Sequence, residues 1–313
     1  MTATTGIIFP GQGSQSIGML AALAEHYPQV KETFEEASDV LQVDLWLLAS
    51  EGPAEELNRT ENTQPVMLAA GMAVYRVWLS QGGPAAAVMA GHSLGEYTAL
   101  SAAGSLDFTE VARLVAARGR FMQEAVPAGK GAMAAVLGLD DDAVRTLCAN
   151  AAQGEGAEAV NFNSPGQVVI AGDRAAIERA IELAKEAGAR RALMLPVSVP
   201  SHCALMRPAA EKLAAMLETV SVKLPEIPVI HNVDVDIAGS ADAIREKLVQ
   251  QLYQPVRWVE TIQAMKQRGI ETLVEAGPAK VLTGLGKRID KTLTFLPVLD
   301  PASLEKALES CNA

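Results

Sequence analysis

Aromatic side chains are scarce. Six Phe, four Tyr and three Trp make up 4% of 313 residues, so the core must be built mainly from aliphatics. Cysteine is scarcer still. Cys148, Cys203 and Cys311 are odd in number and far apart, which excludes a disulfide frame or a cysteine zinc site and points to a reducing compartment. No apolar run approaches the roughly 20 residues of a membrane span. Met1-Thr2-Ala3-Thr4 also lacks the charged start and long apolar stretch of a secretory signal, so a cytoplasmic location is expected. Positive charge is in deficit: 26 Lys and Arg against 37 Asp and Glu leave a net charge of −11. That disfavours a nucleic-acid or anionic-membrane surface. An acidic partner would need a local basic patch, for which Arg190 and Arg191 are candidates.

What is present is an aliphatic, Ala- and Gly-rich globular chain, 49% hydrophobic and 20% charged, long enough to bury a sizeable core. Its most informative stretch is Val88-Met89-Ala90-Gly91-His92-Ser93-Leu94-Gly95-Glu96-Tyr97. A short apolar run ends at Gly91, a serine stands between two glycines, and a helix-prone segment follows. The pattern Gly-x-Ser-x-Gly fits the strand, sharp turn and helix of a nucleophile elbow. Such a helix points free N–H groups and its positive end at the serine's surroundings, where an acyl oxyanion would be stabilised.

Gly6 to Phe9 reads as a buried strand, and Pro10-Gly11-Gln12-Gly13-Ser14-Gln15 as the loop after it. A dinucleotide fingerprint fails because Ser16 stands where its third glycine belongs. A P-loop fails because Met19, not Lys, follows Gly18. The loop is then either a plain turn or a platform from which Gln12 projects into a site. Helices are expected over 27–40, 53–57 and 64–78, the last capped by Thr63 with Pro65 in its first turn. The elbow strand is expected over 85–90 and a further helix over 108–125. This alternation predicts an α/β fold with a parallel sheet, Gln12 and Ser93 sharing the rim at the strands' carboxyl ends.

The pattern then changes. Strands over 132–139, 158–162, 167–171 and 190–197 and helices over 140–152 and 173–187 give the order β-α-β-β-α-β, with Asn163-Ser164-Pro165-Gly166 as a hairpin-like turn. That is the order of a ferredoxin-like unit inserted into the larger α/β domain, with hinges at 129–131 and 196–200. Afterwards the larger domain resumes with helices over 206–219, 241–253, 259–268, 280–289 and 303–309 and strands over 228–233, 272–275 and 294–298. No internal repeat or low-complexity tract occurs.

A serine nucleophile needs a base, and the chain has only four histidines. His26 lies in a polar helical region and His231 in a strand. His92, adjacent to Ser93, would point elsewhere at so sharp a turn and reads as a structural residue. His202, in a Pro-Ser-His-Cys loop where the inserted unit hands back to the larger domain, is the best base. Cys203 is a weaker nucleophile candidate, because it cannot easily face the imidazole beside it. A third triad member cannot be chosen among so many carboxylates, and a backbone carbonyl could hold the imidazole instead. Arg118, late on an otherwise apolar helix, reads either as a solvated charge or as a guanidinium for a carboxylate.

Phe9-Pro10-Gly11-Gln12-Gly13-Ser14-Gln15, Gly91-His92-Ser93-Leu94-Gly95-Glu96, Arg118-Gly119, Asn161-Phe162-Asn163-Ser164-Pro165-Gly166-Gln167, Ser201-His202 and Glu275-Ala276-Gly277-Pro278 occur together and in that order. The combination resembles the malonyl-CoA:acyl-carrier-protein transacylase family of bacterial fatty-acid synthesis, over nearly the entire chain from Ile7 to the last helix. The resemblance implies an α/β-hydrolase-like large domain (1–128 and 198–313) carrying a ferredoxin-like small domain (129–197). It implies Ser93 as nucleophile and His202 as base. Gln12 and the Leu94 backbone N–H would be oxyanion donors, and Arg118 the partner of the malonyl carboxylate. Gln251 would orient the histidine through its main-chain carbonyl, although the residues alone do not separate it from Gln250. It further implies malonyl-CoA as substrate, an acidic acyl carrier protein bringing its own phosphopantetheine as partner, no resident cofactor or metal, and a monomer. The alternatives are a serine esterase or thioesterase using the same pair, a malonyltransferase of a polyketide pathway, and a non-catalytic carrier-docking module.

Overall fold

A computed structural model describes residues 4–197 and 199–312. Within them the strands are β1 (Thr5–Phe9), β2 (Val88–Gly91), β3 (Gly131–Leu137), β4 (Ala157–Ser164), β5 (Gln167–Asp173), β6 (Arg191–Met194), β7 (Val229–Ile230), β8 (Thr272–Ala276) and β9 (Thr294–Val298). Five of them form one sheet in the order β7-β2-β1-β8-β9, with every pairing parallel. All five residues of β1 are buried, as a strand covered on both faces requires. Alternation sends Ile7 and Phe9 into the core shared with helices Thr60–Ser80 and Phe108–Ala125. Ile8 enters a second core around Trp258, Ile262 and Met265. The carboxyl ends of β1 and β2 lie side by side, with Phe9 opposite Gly91 and the His92 N–H donating to the Phe9 carbonyl at 3.0 Å. The loop bearing Gln12 and the turn bearing Ser93 therefore meet at one rim.

The other four strands form an antiparallel sheet, order β4-β5-β3-β6, in the expected β-α-β-β-α-β sequence. Its period of two separates the faces. Ala134, Val136, Val168 and Ile170 pack against helices Asp141–Ala152 and Arg174–Glu186. Met133, Val160, Val169 and Ala171 face the opposite way, toward Cys203. Asp140 caps the first of these helices by accepting the Ala143 N–H at 2.7 Å, an interaction worth about 1 kcal/mol. The antiparallel sheet is tied to the segment that follows helix Ala241–Gln251 by a bridge between Asn161 and Val256, whose backbone groups exchange hydrogen bonds with Val160 and Phe162.

Several expectations need correction. The helix placed over 64–78 begins at Thr60, so Pro65 lies in its second turn, not its first, and Thr63 does not cap it. The Thr63 hydroxyl instead donates to the carbonyls of Leu57 and Arg59. The added turn is polar and shows no apolar period; it is held by tertiary contact. Gly119 lets its helix approach until a Cβ there would stand 2.7 Å from Glu61 Cα. Helices Ala21–His26 and Leu45–Glu51 were not foreseen, because two turns offer too few positions to show a period. The strand placed over 228–233 shrinks to Val229–Ile230, since the chain leaves the sheet at His231 to serve the elbow. The hairpin turn tightens to Pro165-Gly166, with Ser164 opposite Gln167. In the hinge placed over 196–200, Ser198 lies outside the described residues, as do Met1 to Ala3.

Candidate active site

Ser93 stands between the end of β2 and the helix Leu94–Ala102 with φ 51° and ψ −109°, a region that non-glycine residues rarely occupy. The flanking glycines make the turn possible. A Cβ on Gly91 would lie 1.8 Å from the Gly95 carbonyl carbon, and one on Gly95 would lie 2.1 Å from the Phe9 oxygen. Asn232 braces the turn from beneath. Its Oδ1 accepts the Ser93 N–H at 2.8 Å and its Nδ2 donates to the Gly91 carbonyl at 2.7 Å. The N–H groups of Gly95 and Glu96 go to the carbonyls of His92 and Ser93, which leaves the Leu94 N–H as the first-turn donor at the cleft.

His202 is buried, and its Nε2 lies 2.7 Å from Ser93 Oγ. On the other side of the ring, Nδ1 is 2.7 Å from the main-chain carbonyl of Gln251. A carbonyl only accepts, so Nδ1 carries the proton and Nε2 receives the serine hydroxyl hydrogen. The carbonyl that faces the ring is that of Gln251 and not of Gln250. The His202 pKa is lowered to about 3, first by burial and then by the positive charge of Arg118. The imidazole is therefore neutral at neutral pH, the state in which it can take a proton.

Arg118 is not a solvated helix charge. It is 1% exposed on the helix Phe108–Ala125. One terminal nitrogen donates to Gln64 Oε1 at 2.9 Å and the other to Gln251 Oε1 at 3.0 Å, while the guanidinium lies 5.2 Å from the Tyr97 ring centroid. Its Nε is buried with no acceptor among the described residues. A buried cation so furnished has no carboxylate of its own and a donor to spare. It opens onto a cleft that Gln12, Ser93, Leu94 and His202 also line. Met133, Asn161 and Val169 of the antiparallel sheet form the facing wall.

The remaining candidates fall elsewhere. His26 is exposed, bonded to the Ala22 carbonyl. His92 turns away from Ser93, and its Nε2 pairs with Asn163 Oδ1 at 2.8 Å. His231 is buried against Glu96, 2.7 Å from Oε1. Cys203 is fully buried, its thiol donating to the Pro200 carbonyl and pushed up to about 12 by burial, so it is no nucleophile at neutral pH. Arg190 and Arg191 are exposed at the start of β6, and Arg190 lines a shallow surface hollow with Arg288. Among the described residues no group of three His, Cys, Asp or Glu is placed to hold a metal ion, and no helix is long and apolar enough to cross a membrane.

Comparison with known proteins settles the family. The acyl transferase domain model matches residues 7–297. The malonyl CoA-acyl carrier protein transacylase of Escherichia coli K12 is 58% identical over 302 residues, covering 96% of this chain and 98% of that protein. The chain belongs to the malonyl CoA-acyl carrier protein transacylase family. The Bacillus subtilis transacylase is 46% identical over 304 residues, 97% of this chain and 96% of its own. Among solved structures, an acyl carrier protein S-malonyltransferase from Vibrio cholerae superposes with a TM-score of 0.94 at 58% identity, covering 97% of this chain and 99% of that one.

Four residues of this site were given no role by a reading of the sequence. Gln64 looks like one more polar position at a helix start, yet it holds Arg118. Glu96, His231 and Asn232 form a buried polar group under the elbow. The only signal was Glu96 itself, a charged residue in an otherwise apolar segment after the motif.

Proposed function

We propose that this chain transfers a malonyl group from malonyl-CoA to the phosphopantetheine thiol of an acyl carrier protein through a malonyl ester on Ser93, for fatty-acid chain elongation. The observation that carries this reading is the Ser93–His202–Gln251 carbonyl series beside a buried Arg118 with an unpartnered nitrogen. As Ser93 Oγ attacks the thioester carbonyl, its proton passes to His202 Nε2. The Leu94 N–H and Gln12 hold the tetrahedral oxyanion. The C–S bond breaks and CoA leaves as the thiol, taking the proton back from His202. The carrier thiol then gives its proton to His202 and attacks the ester. The C–O bond breaks, and Ser93 recovers its hydroxyl. Exchange of a thioester through an oxygen ester asks only for nucleophile, base and oxyanion donors, so no resident cofactor is assigned. Arg118 pairs with the free malonyl carboxylate, and neutral acyl groups are disfavoured because they leave that buried cation unmatched.

The finer architecture belongs to the same proposal. We read the parallel-sheet portion (1–128 and 198–313) as an α/β-hydrolase-like domain and 129–197 as a ferredoxin-like insertion, on the strand order β4-β5-β3-β6. The cleft lies between them, so the acyl group is enclosed by two units. We place the reaction in the cytoplasm, on a monomer. One structural relative, 57% identical with a TM-score of 0.96 and covering 98% of this chain and 99% of that one, is a malonyl-transacylase solved with a type II polyketide acyl carrier protein. That relative supports docking of an acyl carrier protein and keeps a polyketide carrier as the alternative.

Intact-mass measurement after malonyl-CoA, then after acyl carrier protein, tests the scheme. One malonyl adduct is expected, absent in Ser93→Ala and removed by the carrier. Rapid release of malonate without an acceptor would make the chain a hydrolase. Normal complementation of a transacylase-deficient strain by Ser93→Ala would make it a docking module.

A further inference from the structure

Beneath the elbow lies an acid that the reaction scheme leaves unused. Glu96, in the helix Leu94–Ala102, is fully buried. One carboxylate oxygen faces His231 Nδ1 at 2.7 Å; the other accepts the Asn232 backbone N–H at 2.9 Å and Gln251 Nε2 at 2.8 Å. The same Gln251 amide nitrogen donates to the Ser93 carbonyl at 2.9 Å, and its oxygen receives Arg118 at 3.0 Å. An amide can flip, but here its two ends meet opposite chemistries. A carboxylate only accepts and a guanidinium only donates, so one orientation alone satisfies both. Gln251 is also the residue whose main-chain carbonyl holds the His202 ring.

We propose that Glu96 is a positioning residue that, through the single side chain of Gln251, sets the aim of Arg118 and braces the backbone beneath the Ser93–His202 pair. This rests on the reading of Arg118 as the partner of the acyl carboxylate. With Glu96 in place, the Gln251 oxygen is committed to Arg118, and the guanidinium is fixed between two amide oxygens, those of Gln64 and Gln251. Without Glu96 only the Ser93 carbonyl still holds the amide nitrogen, so the side chain is less firmly fixed and the guanidinium loses part of what sets its aim. Recognition of a charged acyl group then suffers more than serine chemistry on a neutral one.

The test compares serine loading from malonyl-CoA and acetyl-CoA in the full-length protein, counting only the fraction that forms an adduct. Glu96→Leu removes both acceptors and should lower the malonyl-to-acetyl ratio of kcat/KM by about ten-fold or more, chiefly through malonyl KM. Gln251→Met, which keeps the main-chain carbonyl, should lower the ratio similarly, and the double variant should fall no further. Should the leucine variant fail to fold, Glu96→Asp keeps the charge but withdraws it from Gln251, and is read by the same ratio. Parallel loss of both acyl groups with an unchanged ratio in the folded Glu96 variant, or additive losses in the double variant, would overturn the proposal. Arg118→Ala is the control. If it retains the malonyl preference, the reading of Arg118 falls and takes the proposal with it. If Arg118→Ala loses the preference while the Glu96 variants keep it, the role of Glu96 alone is refuted.

Discussion

The surroundings of the His202 ring keep it unprotonated, as the proposed role of base requires. Burial and the Arg118 charge hold its pKa far below the ordinary histidine value of 6.5, at about 3. Removing that charge should raise it. In an NMR titration of the imidazole, the wild-type ring is expected to stay neutral at pH 5, while Arg118→Ala shifts its pKa upward toward 6.5. A downward or absent shift would mean that the two side chains do not sense one another. The same substitution should weaken malonyl loading by roughly 10²-fold while neutral acyl groups gain relative to malonyl. In the proposed scheme substrate binding would act in the same direction: a malonyl carboxylate paired with Arg118 would offset its charge, so the histidine would become a stronger base only when the right acyl group is seated.

The elbow is a matter of elements and not of any one side chain. Strand β2 must end at the point where its turn passes within contact of the Leu94–Ala102 helix and of Phe9 at the end of β1. A methyl group on Gly91 would sit inside the Gly95 backbone, and rigid backbone cannot yield as a side-chain tip can. Gly91→Ala should therefore destabilise by roughly 3 kcal/mol or more in urea unfolding and abolish adduct formation. Gly284 is the contrast. It lies exposed in the helix Val281–Ile289 with open space where a Cβ would go, so Gly284→Ala should stabilise by about 0.5–1 kcal/mol. Equal effects at the two glycines would contradict the account given for the elbow.

Over the whole molecule, two buried histidines tie stability to pH. His202 and His92 both have pKa values below 6.5, burial being the first cause in each. Below 6.5 the unfolded chain takes up protons that the folded chain refuses. Their stabilisation is complete above that value and is lost as pH falls toward the folded pKa, at up to about 1.4 kcal/mol per pH unit for each ring. Glu275, whose buried carboxyl is raised by desolvation, works in the opposite sense, so the test must isolate one ring. Urea unfolding between pH 6.5 and 4.5 should show stability falling with pH, and His202→Asn should flatten that slope by about 1.4 kcal/mol per unit. An unchanged slope in the variant would show that His202 is proton-accessible in the folded state.

Local features were legible from residue order. The Gly91–Gly95 motif declares its turn because no other residue fits a backbone crossing. The β-α-β-β-α-β order could be read from the succession of elements, and Ser93 and His202 stood out by their settings, whereas the residues alone left Gln12 and Arg118 open and only the family resemblance gave them roles. Tertiary structure decided what spans the chain. The choice of Gln251 over Gln250 depends on where the end of helix Ala241–Gln251 meets the His202 ring. The burial of Arg118 depends on two distant glutamines, and the polar cluster of Glu96, His231 and Asn232 on the early end of β7. A sequence records periodicity over a few turns and strain at single residues. It carries no distance between groups 49 to 158 positions apart, and hydrogen bonds of a few ångströms between such groups built this site.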